Sequence, residues 1–133
     1  MKAKPDKALE KLRAICLTLP DTSERLTWGH PNFRVGEKIF ASYYHEDGKS
    51  NLGFKTNLLI QEHLVETDAR FSVAAYVGQH GWVTMKLAGR VDWQEVEGFV
   101  RDSYRLIAPK KYARQLDTPG EAEAAPRSRP RKR

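Results

Sequence analysis

A single cysteine in 133 residues, Cys16, excludes an internal disulfide and suits a reducing compartment. Long apolar runs are missing too. The longest stretch of large aliphatics is Leu58-Leu59-Ile60, far short of a membrane span. Met1-Lys2-Ala3-Lys4-Pro5-Asp6 carries charge but leads into no apolar segment, which speaks against a signal peptide. The chain has no Gly-rich phosphate loop, Gly-x-Ser-x-Gly elbow, His-Glu-x-x-His or Cys-x-x-Cys, and no internal repeat. These absences lead us to expect a cytoplasmic protein with no membrane partner, no cofactor and no recognisable catalytic set.

What is there fits one soluble globular domain: 40% of residues are hydrophobic and 30% charged. The net charge of +6 is unevenly spread. Residues 118–133 hold five cations (Arg127, Arg129, Arg131, Lys132, Arg133) against Glu121 and Glu123, a net +3 and so half the excess. Prolines, alanines and like charges give that stretch nothing to pack, so the expected division is a folded domain over 1–117 and a disordered basic tail over 118–133.

Along the domain, Ala8, Leu9, Leu12, Ile15, Cys16 and Leu19 recur at helical spacing until Pro20. Cys16 lies on that apolar side, where a buried, inert thiol is expected. Phe33-Arg34-Val35 and Lys38 to Tyr44 read as strands joined by the tight Gly36-Glu37 connection. A longer turn, His45 to Lys49, leads to a third strand over Ser50 to Lys55, with Leu52 and Phe54 opposed to Asn51, Gly53 and Lys55. Asn57 caps a helix to about Thr67, with Leu58, Ile60, Leu64 and Val65 to one side. Asp68 to Gly81 shows no steady period and reads as an ordered loop. Trp82 to Leu87 is a further strand, and Asp92 with Glu95 opens a helix that buries Trp93, Val96, Phe99, Val100, Tyr104 and Ile107. A short helix follows over Lys110 to Leu116. The order α-β-β-β-α-β-α is satisfied by a three-stranded antiparallel meander plus a further strand, with helices packed on one face. The second sheet face is left with less cover, and Arg34, Lys55, Trp82, Thr84 and Lys86 are its candidates.

Two blocks concentrate unusual chemistry: Trp28-Gly29-His30-Pro31-Asn32-Phe33-Arg34-Val35 and Tyr76-Val77-Gly78-Gln79-His80-Gly81-Trp82-Val83. Their likeness leads us to expect His30 and Trp28 near His80 and Trp82. A metal at the two histidines lacks a third and fourth ligand at short spacing, so no metal is expected. A general base would need a substrate group beside it. The plainer role is an imidazole that bonds a loop backbone at the mouth of a strand. His45 and His63 read as solvent-facing. Trp28 could pack as a lid on the core edge. Trp82 beside Lys86 on an open sheet is a stacking platform for bases, a protein-contact patch, or simply packed under the His80 loop. Lys110, Lys111 and Arg114, extended by the tail arginines, would attract polyphosphate through counterion release, or merely keep the terminus soluble.

At Gly29-His30-Pro31-x-Phe33-Arg34-Val35, Lys38-Ile39-Phe40-Ala41, Tyr76-Val77-Gly78-x-His80-Gly81-Trp82 and Ser103-Tyr104-Arg105 the chain resembles the MmcQ/YjbR family, over about Lys7 to Leu116. The resemblance implies a small α+β domain similar in architecture to type III secretion chaperones and frataxin-like proteins, and a DNA-binding role. It supplies no catalytic residues, and the arginine-rich tail is outside its pattern. The reading is a non-enzymatic DNA-binding protein acting mainly through backbone electrostatics. Phosphate contacts would come from Lys110, Lys111, Arg114 and the tail, and a surface from Arg34, Lys55, Trp82 and Lys86. The alternatives are a protein-interaction or chaperone-like module on the same open face, and a small-molecule binder or enzyme with a His30/His80 pocket.

Overall fold

The computed structural model describes residues 6–116; the tail cations Arg127 to Arg133 lie outside them. The elements are α1 (Lys7–Cys16), β1 (Thr22–Thr27), β2 (His30–Val35), β3 (Lys38–Glu46), β4 (Lys49–Lys55), α2 (Leu58–Thr67), β5 (Phe71–Val73), β6 (Trp82–Lys86), α3 (Trp93–Ile107) and α4 (Lys110–Gln115), with a single 3-10 turn at Gly78–His80. Six strands form one antiparallel sheet in the order β1-β2-β3-β4-β6-β5. The α+β architecture is as expected, with two strands more. β1 is a polar edge strand, Thr-Ser-Glu-Arg-Leu-Thr, with no fully buried residue, so it shows no apolar alternation. β5 is three residues long and buries only Phe71.

The helices start where their caps dictate. Asp6 accepts from the Leu9 amide, Asn57 from Ile60, and Asp92 from Gln94 and Glu95. α3 has the strongest apolar stripe and buries Val96, Val100 and Tyr104 against β3 and β4. The core joins these to Leu12 and Cys16 of α1 and to Phe33, Phe40, Tyr43, Leu52, Phe54, Val83 and Met85 of the strands. Burial pushes the Cys16 thiol well above its usual pKa, the inert state expected of it. Two polar ties cross the layers. The Tyr43 hydroxyl donates to Asp6 at 2.6 Å, fixing the start of α1 on β3. Ser103, fully buried, accepts from the Lys55 amide at 2.9 Å and donates to the Phe40 carbonyl at 2.7 Å. Its hydroxyl thus bridges β3 and β4 where their pairing ends.

α2 departs from expectation. Leu64 and Val65 are half-buried, but Leu58, Leu59 and Ile60 are exposed, and the fully buried position is Gln61. Its amide donates to the carbonyls of Gly78 at 2.8 Å and Trp82 at 2.9 Å, so hydrogen bonds hold the helix where apolar burial was expected. The β3–β4 turn is also tighter than its sequence suggested: His45 pairs with Ser50 inside the ladder, and only Asp47-Gly48 turns.

Candidate functional site

Strand parity separates the helix-covered face from the open one. One row crosses all six strands in register: Arg25, Asn32, Ser42, Gly53, Thr84 and Ser72. To one side lie Thr27, His30, Tyr44, Asn51 and Lys86; to the other lie Ser23, Arg34 and Ile39, and farther across Lys55 with Trp82. These rows carry cations, amides, hydroxyls and aromatics, and no carboxylate. Glu24 has the opposite parity and is held by Arg13 of α1 at 2.8 Å; Glu46 lies in register with Lys49 beyond the rows.

The floor of this face is small and polar. The Ser42 hydroxyl donates to the Asn32 side-chain oxygen at 2.8 Å, and both residues are buried. Gly53 has no side chain above it, and a Cβ there would touch the Tyr44 ring at 3.4 Å. Tyr44 meets the His30 ring edge-on at 4.8 Å between centroids, so the imidazole packs against an aromatic neighbour. Asn32, Ser42, Gly53 and Tyr44 were missed as site residues, whereas Thr84 stands on the open face as expected. Their signal was the alternation that places Arg34, Lys55 and Trp82 on the same face. Arg25 was missed because β1 was.

The expected cations divide into three groups. Arg34 is braced, donating to the Glu37 carbonyl at 3.0 Å and the Thr27 hydroxyl at 3.4 Å, while its Nε is buried with no partner among the described residues. Beside it Arg25 grips Glu37 with two bonds of 3.1 Å and holds that carboxyl below its usual pKa. Lys55 donates to the His80 carbonyl at 2.7 Å and stands in register with half-buried Trp82; Lys86 is exposed at the far end of β6. Lys110, Lys111 and Arg114 are exposed on α4, which packs through Tyr112 and Leu116 into the helix layer. They are therefore carried on the other side of the sheet from Trp82 and Lys86. The basic residues form two groups rather than one strip.

The two blocks do not meet. His30 and Trp28 belong to the β1–β2 hairpin, whereas His80 precedes β6. β2 and β6 are three strands apart, roughly 14 Å, and the row of His30 lies four residues along β4 from Lys55, roughly 13 Å more. The imidazoles are thus on the order of 20 Å apart and share no pocket. Similar chemistry in two segments says nothing about strand register. Trp28 is no lid either: it is 93% exposed at the tip of a two-residue turn, with positive φ at Trp28 (56°) and Gly29 (80°). Gly81 does have a steric role. Its φ is 94°, and a Cβ there would collide with the Thr56 carbonyl oxygen, which is why the chain entering β6 can lie against the start of α2. Among the described residues no three His, Cys, Asp or Glu side chains gather as a metal site, and no helix is long and apolar enough to cross a membrane.

A family model described as YjbR matches residues 17–106. The crystal structure of the Deinococcus radiodurans protein DR2400, with a DUF419 domain, is similar to the chain with a TM-score of 0.68 and 22% identity. That likeness covers 87% of this chain and 86% of that one, and concerns the fold. No curated protein sequence matches the chain.

Proposed function

Since the chain belongs to the YjbR family, we propose that it is a non-enzymatic DNA-binding protein that engages nucleic acid with the open face of its sheet, mainly through backbone electrostatics. The observation that carries this reading is the set of in-register rows with Arg34, Lys55 and Lys86 on them, Trp82 among them, and no carboxylate in them. A polyanion crossing such a face meets positive charge at its margins and neutral hydrogen-bonding groups between. Lys55 and Lys86 are the phosphate contacts, with Arg34 at the rim beside the Arg25–Glu37 pair. Half-buried Thr84 offers a hydroxyl partner to sugars or base edges, and Trp82 offers a ring to an unstacked base. The face of a six-stranded sheet does not enter a duplex groove as a helix does, so single-stranded DNA is the better fit. Lys110, Lys111, Arg114 and the tail arginines form a second cationic group that holds flanking phosphates without sequence preference.

The test is binding of labelled single-stranded and duplex DNA across a salt series. Replacing Arg34, Lys55 and Lys86 by alanine removes up to three phosphate contacts, so the single-strand salt slope should flatten by about 2 units at ~0.7 per contact. Deleting 118–133 removes five cations and should flatten the duplex slope by up to about 4.5 units at ~0.9 each. Trp82→Ala should weaken single-strand binding with little change in slope. Full-length protein that ignores both forms of DNA at low salt overturns the reading.

A further inference from the structure

Beside the Lys55 end of the sheet rows, the start of α2, the 3-10 turn and the end of α3 border a groove of about 550 Å³. Its walls are Leu58, Leu59 and Leu106, and its rim is Lys55 and His80. The leucines are 57%, 79% and 54% exposed, so three large apolar side chains meet water around one groove. The C-terminal segment of this chain is a poor cover, because residues 117–133 contain no apolar side chain larger than alanine or proline.

We propose that a second copy of this chain covers the groove, the two α2 helices packing antiparallel about a two-fold axis close to Leu59. The groove and the side chain that fills it then lie on one surface, centred on the start of α2, which is the self-complementarity a two-fold interface requires. Leu59, Glu62, His63 and Glu66 follow at i, i+3, i+4 and i+7 and are all exposed, so they form one stripe on the outside of α2. When Leu59 sits among the leucines of the other copy, an antiparallel helix runs on over the segment that precedes α2 there. Glu62 then lies about 4.5 Å and Glu66 about 10 Å farther along the axis, at the rim that carries Lys55 and His80. Two acids on the stripe thus face two basic side chains at the groove, and the symmetry makes each contact twice. The opposite, parallel pairing would set Glu62 and Glu66 against their own copies.

Sedimentation velocity on the full chain, from a few micromolar to several hundred, tests this. The expected result is a concentration-dependent monomer–dimer equilibrium. Leu59→Glu should leave only monomer, with circular dichroism and melting temperature unchanged because the side chain is exposed in the monomer. Glu62→Lys with Glu66→Lys should weaken the dimer about tenfold, the size expected of several exposed ion pairs lost together. A wild-type chain that stays monomeric throughout overturns the proposal, and so does a dimer that survives Leu59→Glu. A dimer constant unmoved by the double charge reversal overturns the antiparallel arrangement. None of these outcomes depends on whether DNA binds.

Discussion

Ser103→Ala isolates the bridge between the helix layer and the sheet. The hydroxyl is fully buried and makes two bonds, from the Lys55 amide and to the Phe40 carbonyl. Alanine fits the same space but leaves a backbone donor and a backbone acceptor without that partner. Each unsatisfied buried group costs about 1–3 kcal/mol, and some relaxation of the β3–β4 ladder recovers part of it, so the expected loss is about 2–4 kcal/mol. Against the 5–15 kcal/mol typical of a domain this is a large share. At roughly 3–5 °C per kcal/mol the melting temperature should fall by about 6–20 °C. Urea unfolding followed by tryptophan fluorescence should show a lower midpoint with an unchanged slope, since the unfolded chain is the same. Amide exchange adds a local readout, with the Lys55 amide losing protection more than the amides of Asn51 or Leu52. A loss below about 0.5 kcal/mol, or unchanged Lys55 protection, would refute the bridge as a source of stability.

Trp28→Asn should stabilise the protein by about 1 kcal/mol, because a bulky residue at φ 56° costs energy that Asn-Gly in a two-residue hairpin turn largely avoids; a lower melting temperature would mean the exposed ring has a contact worth more than its strain. Burial pushes the hydroxyls of Tyr43 and Tyr104 up to about 12, with Asp6 adding to the first and Asp21 to the second. Because the folded pKa lies above the unfolded one, near 10, both contribute stability that is complete below pH ~10 and is lost as pH rises towards 12. Urea midpoints measured from pH 9 to 11.5 should fall, and fall less steeply in Tyr104→Phe; parallel curves for the two proteins would sink this assignment.

Where side chains alternate between core and solvent, the chain was readable. Phe54 between Gly53 and Lys55, or Val83 and Met85 between Trp82, Thr84 and Lys86, announced both strand and face, and these segments hold the Lys55–Trp82–Lys86 part of the site. Caps were equally legible, because Asn57 and Asp92 act through amides two or three residues away. β1 was not, since an edge strand exposed along much of its length owes its existence to pairing with β2, which no local pattern encodes. α2 misled for a related reason: Gln61 is buried through acceptors 17 and 21 residues away, and this turned Leu58 and Leu59 outward. The separation of His30 from His80 follows from strand order, which is set by crossovers and not by composition.

An open sheet ends in two edges, and each unpaired edge is a template on which another chain can grow as a further strand. Here neither edge invites this. β5 offers three residues, with α2 packed close by. β1 sets charge along its length: Glu24 is tied down by Arg13, and Arg25 by Glu37. Inward-facing and bridged charges of this kind discourage edge-to-edge stacking and fibril growth. The same guard limits how the molecule can be recognised, since a peptide seeking main-chain ladder bonds finds little free edge. Partners must come to its surfaces through side chains.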